Sequence, residues 1–371
     1  MARMRDLIKP AAWIVYVVIV FEILFMISPF AIHFYAAYGP TLNFLHQWPG
    51  TAWMTKFYLP HFTETTSPIL NAAHVIGMLL IVGGLAMFLA GAIPIYWSTF
   101  RKGGAVTGGL YSFVRHPQYL GLAITGVGAA LIWPRFLVLV TLVVMILLYT
   151  LLAKWEEQLC ADRFGDGYRE YQRRTGRFFP KRISDWLPRI VPASGAGRVM
   201  VLSLLVVSSI AIAVGAGILL RDWSLTRISA IYEENTAVIS TAYIGNEDLE
   251  KSYGIARSDP RVQQLLEQTR EARFIVYVVP SEWFLPDLPL DKVDPPGGHH
   301  VPPEFDHLHF KVLFTRARFH GTAPSGADIV KAAYGRDPIV VAFVDVGKLT
   351  VTEIARPPSH VKWGDISTPM F

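Results

Sequence analysis

The sequence predicts an all-α polytopic membrane bundle followed by a soluble α+β domain, and two observations support this fold class. Hydrophobic residues make up 52% of the 371-residue chain, whereas charged residues make up only 17%. Long apolar runs fill the chain as far as Leu220, and from Arg221 onward the pattern becomes that of a soluble domain. Because a water-soluble chain of this length rarely has such a balance, the composition excludes a wholly soluble protein.

Five apolar runs are long enough to cross about 30 Å of hydrocarbon as helices. They cover residues 12–37, 70–97, 119–133, 136–153 and 199–220. Pro134 lies between the third and fourth runs, where a proline interrupts helical hydrogen bonding. We therefore expect the third and fourth spans to form a hairpin of slightly short or tilted helices, which returns the chain to its starting side.

The same patterns divide the chain into three parts. Residues 1–198 are predicted to form a membrane core with a cytoplasmic site, residues 199–220 a fifth transmembrane helix, and residues 221–371 an extracytoplasmic α+β domain of ordinary size. The predicted elements of that domain are strands over residues 274–279, 309–314, 339–346 and 349–354 and a helix over 260–272 that Asp259 caps.

The distribution of basic residues predicts the orientation in the membrane. As far as Leu220 the chain carries 18 Lys and Arg residues, and all but Lys56 and Arg135 lie in segments that the five-span topology places on one side. By the positive-inside rule that side is cytoplasmic. The first run follows a basic tail and is expected to be a retained signal anchor. This predicts a protein of the bacterial inner membrane.

Charge and cysteine content exclude other classes of function. The net charge of +5 and the pI near 9.2 do not indicate nucleic-acid binding, because basic and aromatic residues are not interleaved in one patch. The lone Cys160 excludes an intramolecular disulfide and a CxxC metal or redox motif.

Two further features leave alternatives open. Glu22, in the middle of the first span, is costly in lipid, so it is either functional or the partner of a buried group such as His74. The C-terminal domain has a cluster of four histidines, His299, His300, His307 and His309. They either bind zinc or copper or are ordinary solvated loop residues. No metal is included in the predicted site.

Polar chemistry is concentrated where the third span begins. Pro117 suits the first turn of that helix, and the positive end of the helix dipole favours an anionic group there. Arg115 and His116 precede the helix and can donate hydrogen bonds, Tyr119 lies one turn inside, and Gly121 allows close approach. The segment is therefore expected to hold a carboxylate or a phosphate.

A pair of carboxylates returns to the same surface after the predicted hairpin. Glu156 and Glu157 end the helix of the fourth span, just after its apolar run, and a helix over residues 156–171 is expected to lie on the membrane surface. Acidic groups beside an electropositive helix start suit a ligand with anionic and cationic parts, such as a sulfonium amino acid nucleoside. The alternative is that these are ordinary interfacial charges, which flank many membrane helices.

These motifs resemble the isoprenylcysteine carboxyl methyltransferase and phospholipid methyltransferase group of membrane enzymes. The resemblance rests on G-L-Y-S-F-V-R-H-P-Q-Y-L-G ending at Gly121, a hairpin, the Glu-Glu pair, F-G-x-x-Y-x-x-Y, and R-F-F-P ending at Pro180. It implies S-adenosylmethionine bound at the cytoplasmic face, between the Arg-His-Pro and Glu-Glu motifs.

The resemblance also implies roles for single residues. The predicted cofactor-binding residues are Arg115, His116, Tyr119, Gly121, Glu156 and Glu157. The His116 imidazole and the Tyr119 phenol would contact the methionine end of S-adenosylmethionine, and the glutamates would hold its polar groups. Gly121 would allow close helix packing. The predicted catalytic residues are Glu157, His116 and Arg174, with Arg173 competing for the place of the arginine.

The acceptor is predicted to be lipid-like or small and apolar, because the site lies at a bilayer. An isoprenylcysteine carboxylate, a phospholipid amine and a thiol all suit the resemblance. An amine or thiol would need a base, for which Glu157 and His116 are the candidates, whereas a carboxylate would need none. The alternatives are an NADPH-dependent sterol or steroid reductase, against which the paired glutamates argue, and a non-catalytic membrane scaffold.

Overall fold

The structure is a computed structural model that describes residues 41–61, 63–101, 103–184, 196–269, 272–282 and 305–357. The predicted first span, Glu22 within it, and the pair His299 and His300 lie outside the described residues. In the described part, helices predominate as far as Leu225, and a six-stranded sheet follows.

Three described helices are long and apolar enough to cross a membrane. They are α1 (Pro68–Phe100), α3 (Phe136–Phe164) and α5 (Ala196–Leu225), and a shorter apolar helix, α2, covers Pro117–Ile132. These four helices coincide with four of the five predicted spans, so the chain has the helices of an integral membrane protein. The number of five spans and the transmembrane hairpin stay predictions.

Glycines bring α1 and α2 into close contact. The glycines of this contact are Gly77, Gly84 and Gly91 on α1 and Gly121 and Gly128 on α2. A Cβ atom placed on Gly121 would lie 2.6 Å from the backbone nitrogen of Phe88 and 2.7 Å from the carbonyl oxygen of Gly84. Real Cβ atoms do not approach so closely, so the two backbones touch where these glycines meet, as is common between membrane helices.

α3 packs against α2 through a buried cluster and runs further than predicted. The members of the cluster are Tyr119, Leu122, Met145, Tyr149, Leu152 and Ala153. α3 continues to Phe164, where Gly165 adopts a positive φ of 63°. The amphipathic helix α4 then covers Asp166–Arg174. The prediction of one surface helix from residue 156 is therefore wrong at its start, because only Gly165 ends the long helix.

The C-terminal half contains one sheet whose strands follow chain order. The strands are β1 (Ala230–Tyr232), β2 (Thr236–Ile239), β3 (Phe274–Pro280), β4 (His309–Arg318), β5 (Gly335–Asp345) and β6 (Thr350–Ala355). Only β2 and β3 pair in parallel, and all other neighbours are antiparallel. The helices are α6 (Asn246–Ser258), α7 (Pro260–Leu266) and α8 (Asp328–Ala332). The shorter helical segments of the described chain are residues 41–46, Pro49–Ala52, Trp53–Thr55, Gly109–Ser112, Lys181–Ser184 and Glu267–Thr269.

The predicted α+β pattern is confirmed for β3 to β6 and for the helix that Asp259 caps. The Asp259 carboxylate accepts a hydrogen bond of 2.9 Å from the backbone nitrogen of Arg261, although the α-helix ends at Leu266 rather than 272. The elements β1, β2, α6 and α8 were not predicted from the sequence. The two strands are only three and four residues long, and every residue of β2 is buried, so no alternation marks it.

The described chain divides into two compact units. The membrane unit comprises Ala73–Trp133 and Val138–Ala216, and the sheet unit comprises residues 41–72, Pro134–Leu137 and residues 217–357. The sheet unit thus includes residues 41–72, Pro134–Leu137 and residues 217–220, all of which precede the predicted domain boundary at residue 221.

Basic residues connect the segments of the sheet unit. The Lys56 ammonium donates to the carbonyl oxygens of Lys331 (2.7 Å) and Ala332 (3.0 Å) at the end of α8. The Arg221 guanidinium donates to those of Val330 (3.1 Å) and Lys331 (3.0 Å). Cations are favoured at helix C-termini, where backbone carbonyls lack intrahelical partners. The two side chains therefore complete α8 from outside the helix.

Arg135 makes a second connection in the sheet unit. Arg135 is only 2% exposed. Its guanidinium lies 4.0 Å from the ring centre of Phe57 and donates to the carbonyl oxygen of Thr55. As far as Leu220, Lys56 and Arg135 are the two basic residues that fall outside the predicted cytoplasmic segments. The structure gives both of them buried or half-buried structural partners.

Candidate functional site

Three segments of the membrane unit meet at the start of α2. The backbone nitrogen of Arg115 donates to the carbonyl oxygen of Gly176 at 2.9 Å, and that of His116 to the carbonyl oxygen of Arg177 at 3.1 Å. His116 occupies the N-cap position of α2 without a side-chain cap bond, and Pro117 follows it at the first helical position. The imidazole of His116 is therefore left to face the end of α3.

Glu157 lies between two arginines at this junction. Its Oε1 accepts hydrogen bonds from Arg115 Nε (2.8 Å) and Arg177 Nε (3.0 Å), and its Oε2 accepts one from Arg177 Nη2 (2.6 Å). Arg115 also donates through Nη1 to the carbonyl oxygens of Gln172 (3.0 Å) and Thr175. The carboxylate is thus held by charge-assisted hydrogen bonds from two segments at once.

Glu156 has a different environment although it is the adjacent residue. Its side chain is 35% exposed, against 7% for Glu157. The Tyr119 hydroxyl donates to Glu156 Oε1 at 2.5 Å, and Nδ1 of His116 lies 3.5 Å from Oε2. Within the described residues, no lysine or arginine forms an ion pair with Glu156.

His116 lies between the two carboxylates with both ring nitrogens buried. Nε2 is 3.4 Å from Glu157 Oε1, and neither nitrogen has a hydrogen-bond partner of regular geometry. Buried polar atoms are normally satisfied. The two nitrogens are therefore the atoms of this site that a bound polar group would complete.

Stacked aromatic rings fix the orientation of the phenol. The Tyr119 ring stacks on His116 at a centroid distance of 5.5 Å and on Tyr149 at 5.2 Å, with interplanar angles of 13° and 10°. Both tyrosines are buried. Phe178 covers the imidazole from another direction, at 6.0 Å between ring centres. The stack holds the Tyr119 hydroxyl against Glu156.

Two further tyrosines tie the site to its neighbouring helices. The Tyr111 hydroxyl lies 2.9 Å from the carbonyl oxygen of Gly91 on α1 and 3.0 Å from Gln118 Oε1 on α2. The Tyr171 hydroxyl donates to the carbonyl oxygen of Tyr111 at 2.7 Å. Burial raises the pKa of Tyr171 to about 12 and also raises the pKa of Tyr111. Both hydroxyls therefore keep their protons at neutral pH.

The structure brings most of the predicted site residues together. Arg115, His116, Tyr119, Glu156 and Glu157 form one connected cluster. In contrast to the predicted anion-binding role, the charge of Arg115 is already paired with Glu157 and not directed at open space.

Two predicted residues lie apart from this cluster. Gly121 lies on the α1–α2 contact, where it has the close-packing role expected of it. The Arg174 side chain is 76% exposed and forms an ion pair with Glu170 at 2.9 Å, and Arg173 pairs with the same carboxylate at 3.2 Å. In the described structure, neither arginine contacts the cluster.

Sequence reasoning missed Arg177 and Tyr149. Arg177 belongs to the R-F-F-P segment that carries the family resemblance, but nothing in its spacing from Glu157 indicates a bidentate pair. Tyr149 lies in a continuous apolar run, where its ring is indistinguishable from ordinary core.

In the described residues, no group of three or more His, Cys, Asp or Glu side chains is arranged to hold a metal ion. His309 lies between two carboxylates, with Nδ1 2.6 Å from Asp306 Oδ2 and Nε2 3.5 Å from Asp345 Oδ2. His307 faces Asp248 at 3.5 Å. Hydrogen bonding to Asp306 raises the pKa of His309, which favours the imidazolium over a neutral metal ligand.

The residues of the cluster fit S-adenosylmethionine on the chemistry of their donors and acceptors. That cofactor carries an ammonium, a carboxylate and ribose hydroxyls. The site offers a half-exposed carboxylate on Glu156 and two buried imidazole nitrogens without a regular partner. The site also lies at the N-terminal end of α2, where the helix dipole favours an anionic group.

Comparison with known proteins points to the same chemistry. No curated protein and no solved structure matches the chain. The family model of phospholipid methyltransferases matches residues 72–167. This range includes His116, Tyr119, Glu156 and Glu157 and ends before Arg174 and Arg177. Over residues 72–167 the chain is therefore similar to the phospholipid methyltransferases, a family of membrane methyltransferases, as its motifs predicted.

Proposed function

We propose that this protein is an integral membrane methyltransferase that uses S-adenosylmethionine and binds it at the His116–Tyr119–Glu156–Glu157 cluster. One observation carries the proposal. Within a segment similar to phospholipid methyltransferases, two motifs some 40 residues apart in sequence form a buried polar cluster at the start of an apolar helix. Desolvated polar groups at the end of membrane helices are costly unless they serve a ligand or a structural partner.

The residues of the cluster suit binding and orientation of the cofactor. When bound, S-adenosylmethionine would supply a methyl group on a positively charged sulfur. Glu156 would accept hydrogen bonds from cofactor hydroxyl or ammonium groups, and the Tyr119–His116 stack would border the same space. Much of the rate of such a transfer comes from holding the two reacting groups in line at about 3 to 3.5 Å.

We infer a lipid-like or small apolar acceptor. The helices that carry the cluster are long and apolar, so an acceptor within the bilayer would reach the site sideways between helices. For an amine or thiol acceptor, His116 is better suited than Glu157 to take the proton, because both oxygens of Glu157 accept hydrogen bonds from arginines. For a carboxylate acceptor no base is needed.

The packing of the sheet unit supports the predicted orientation. The loop before α1, the α2–α3 turn and the chain after α5 are predicted to lie on the same side of the membrane, and the described parts of all three belong to one compact unit. We infer that this unit is extracytoplasmic and that the cluster faces the cytoplasm.

Calorimetric titration of the detergent-purified, full-length protein with S-adenosylhomocysteine and with NADPH tests the proposed function. Saturable binding of S-adenosylhomocysteine alone is expected, and His116→Ala should weaken it without loss of the folded state. Binding of NADPH alone would assign the chain to the reductases instead. Binding of neither ligand by a folded sample would leave a non-catalytic membrane scaffold.

A further inference from the structure

The two adjacent glutamates in the C-terminal part of α3 are chemically unequal, and the difference concerns which of them is available to a ligand. An ionised carboxylate has about four acceptor sites on its two oxygens. The described contacts of Glu157 use three of them for arginine N–H groups, and His116 Nε2 approaches Oε1 as well. The contacts of Glu156 use one, for the Tyr119 hydroxyl, and His116 Nδ1 approaches its Oε2 at 3.5 Å.

Burial follows the same division. The Glu157 side chain is 7% exposed, and solvent reaches 35% of Glu156. A ligand that approached Glu157 would have to displace a guanidinium that is paired in a low-dielectric environment, which is costly. A ligand that approached Glu156 would displace water.

The partners of Glu157 also indicate what it does. Arg115 comes from the loop before α2, and Arg177 from the loop after α4. The same two loops exchange backbone hydrogen bonds, from Arg115 to Gly176 and from His116 to Arg177. Glu157 thereby joins the end of α3 to both loops and sets the position of His116 between the two carboxylates.

We infer that Glu156 is the carboxylate that contacts the cofactor and that Glu157 is a positioning residue that does not touch it. This inference rests on the proposed function. The ligand groups that Glu156 would bind are hydrogen-bond donors, that is the ribose hydroxyls or the α-ammonium of S-adenosylmethionine. Sequence similarity alone cannot make this division, because the two residues are identical and adjacent.

The test measures the binding affinity of each protein variant for each cofactor analogue and compares how the loss of a ligand group changes that affinity in each variant. The full-length protein is titrated with S-adenosylhomocysteine, with its 2′,3′-dideoxy analogue and with its deaminated analogue. In the unmodified protein at least one analogue is expected to bind about tenfold or more weakly than S-adenosylhomocysteine, since the Glu156 carboxylate loses a hydrogen-bond donor in the complex. In Glu156→Gln the loss of affinity for the same analogue, relative to S-adenosylhomocysteine, should fall below about threefold. The reason is that the substitution alters the protein partner of the ligand group that the analogue lacks.

Glu157→Gln is expected to behave differently. It should weaken all three ligands, and the penalty for the same analogue should remain close to its original value. Glu157→Asp, which keeps a charge for Arg115 and Arg177, should recover at least about half of the lost affinity on a logarithmic scale. Glu170→Gln removes an exposed carboxylate of α4 and serves as the matched control, with unchanged affinities.

Three results would overturn the inference. They are a penalty that disappears in Glu157→Gln but persists in Glu156→Gln, a penalty that neither variant alters, and the absence of any penalty in the unmodified protein. Glu156→Gln is decisive even if Glu157→Gln does not fold, since Glu156 is half-exposed and its replacement leaves both arginine pairs intact. If the unmodified protein fails to bind S-adenosylhomocysteine at all, the proposed function itself is wrong, and this inference is wrong with it.

Discussion

The membrane unit and the sheet unit both use basic side chains to join distant segments, but they give these side chains different partners. In the membrane unit, Arg115 and Arg177 pair with the carboxylate of Glu157. In the sheet unit, Lys56 and Arg221 donate to the neutral backbone carbonyls at the end of α8. A buried charge pair is costly to form and more costly to break, whereas a capped helix end is satisfied by one good donor.

The difference indicates where chemistry lies in this protein. The ion-paired junction surrounds a histidine with unsatisfied nitrogens and a second, half-exposed carboxylate. At the carbonyl-capped junction Arg221 Nε is also buried without a partner, but the other two guanidinium nitrogens are used by backbone carbonyl oxygens. We expect the first junction to serve ligand binding and the second to serve only the fold.

The largest expected effect comes from breaking the charged junction. Arg115→Ala removes a donor from Glu157 and from two carbonyl oxygens. Because Glu157 keeps only Arg177 as an ion-pair partner and two backbone carbonyl oxygens lose a charged donor, the membrane unit should lose about 3 kcal/mol of stability. Hydrogen exchange of peptides from residues 103–184 should rise, and exchange of the sheet unit should not.

The matched control for that variant is Arg173→Ala. The Arg173 side chain is 77% exposed and pairs only at the surface with Glu170, where such pairs contribute little. Equal destabilisation by both variants would contradict a structural role for the buried pair.

A second, smaller effect is expected from the glycine contact that positions the start of α2. A Cβ on Gly84 would lie 2.6 Å from the carbonyl oxygen of Gly121, so Gly84→Ala should push the helices apart at a cost of about 1–3 kcal/mol. A Cβ placed on Gly83 would have no other atom within 4 Å, so Gly83→Ala should leave stability unchanged. The melting temperature and the affinity for S-adenosylhomocysteine are measured for both variants. Equal values for Gly84→Ala and Gly83→Ala would mean that the contact between α1 and α2 is not tight.

The neutral junction of the sheet unit should be weaker. Arg221→Met removes two hydrogen bonds to the end of α8 and is expected to cost about 1–2 kcal/mol. Lys56→Met should have a similar effect, and the double variant should be less destabilising than the sum, because both side chains donate to the carbonyl oxygen of Lys331. Thermal unfolding monitored by hydrogen exchange of residues 309–355 reports this effect. A loss of S-adenosylhomocysteine binding in these variants would contradict the separate roles of the charged junction and the carbonyl-capped junction.

The last expected effect is a pH dependence confined to the sheet unit. Burial lowers the pKa of Lys311 from 10.5 to about 8, and the residue is only 2% exposed. The unfolded chain therefore binds more protons than the folded chain between these two values, so the contribution of Lys311 to stability rises as the pH increases from about 8 to 10. Lys311→Met should flatten this rise in melting temperature, whereas Lys251→Met, which removes an exposed lysine, should leave it unchanged. An equally steep rise in both variants would assign the dependence to another group.

The candidate site could be predicted largely because its residues occur in short linear motifs. Arg115, His116 and Tyr119 follow from the start of one helix, and Glu156 and Glu157 from the end of another. The prediction was less informative for Arg174, which the structure places on the exposed face of α4. A spacing of three or four residues along a short helix decides which arginine faces a site, and the resemblance did not fix that spacing.

By itself, the sequence determined the apolar helices, the strands β3 to β6 and the polar residues at the helix ends, because hydropathy, alternation and capping are local properties of a chain. Only the tertiary structure decided which of two identical adjacent glutamates is enclosed by arginines, that Arg177 completes that pair, and that Lys56 and Arg135 belong with the sheet. These outcomes depend on which distant segments come together, and a carboxylate becomes ion-paired or free according to neighbours that lie 20 or more residues away in the chain.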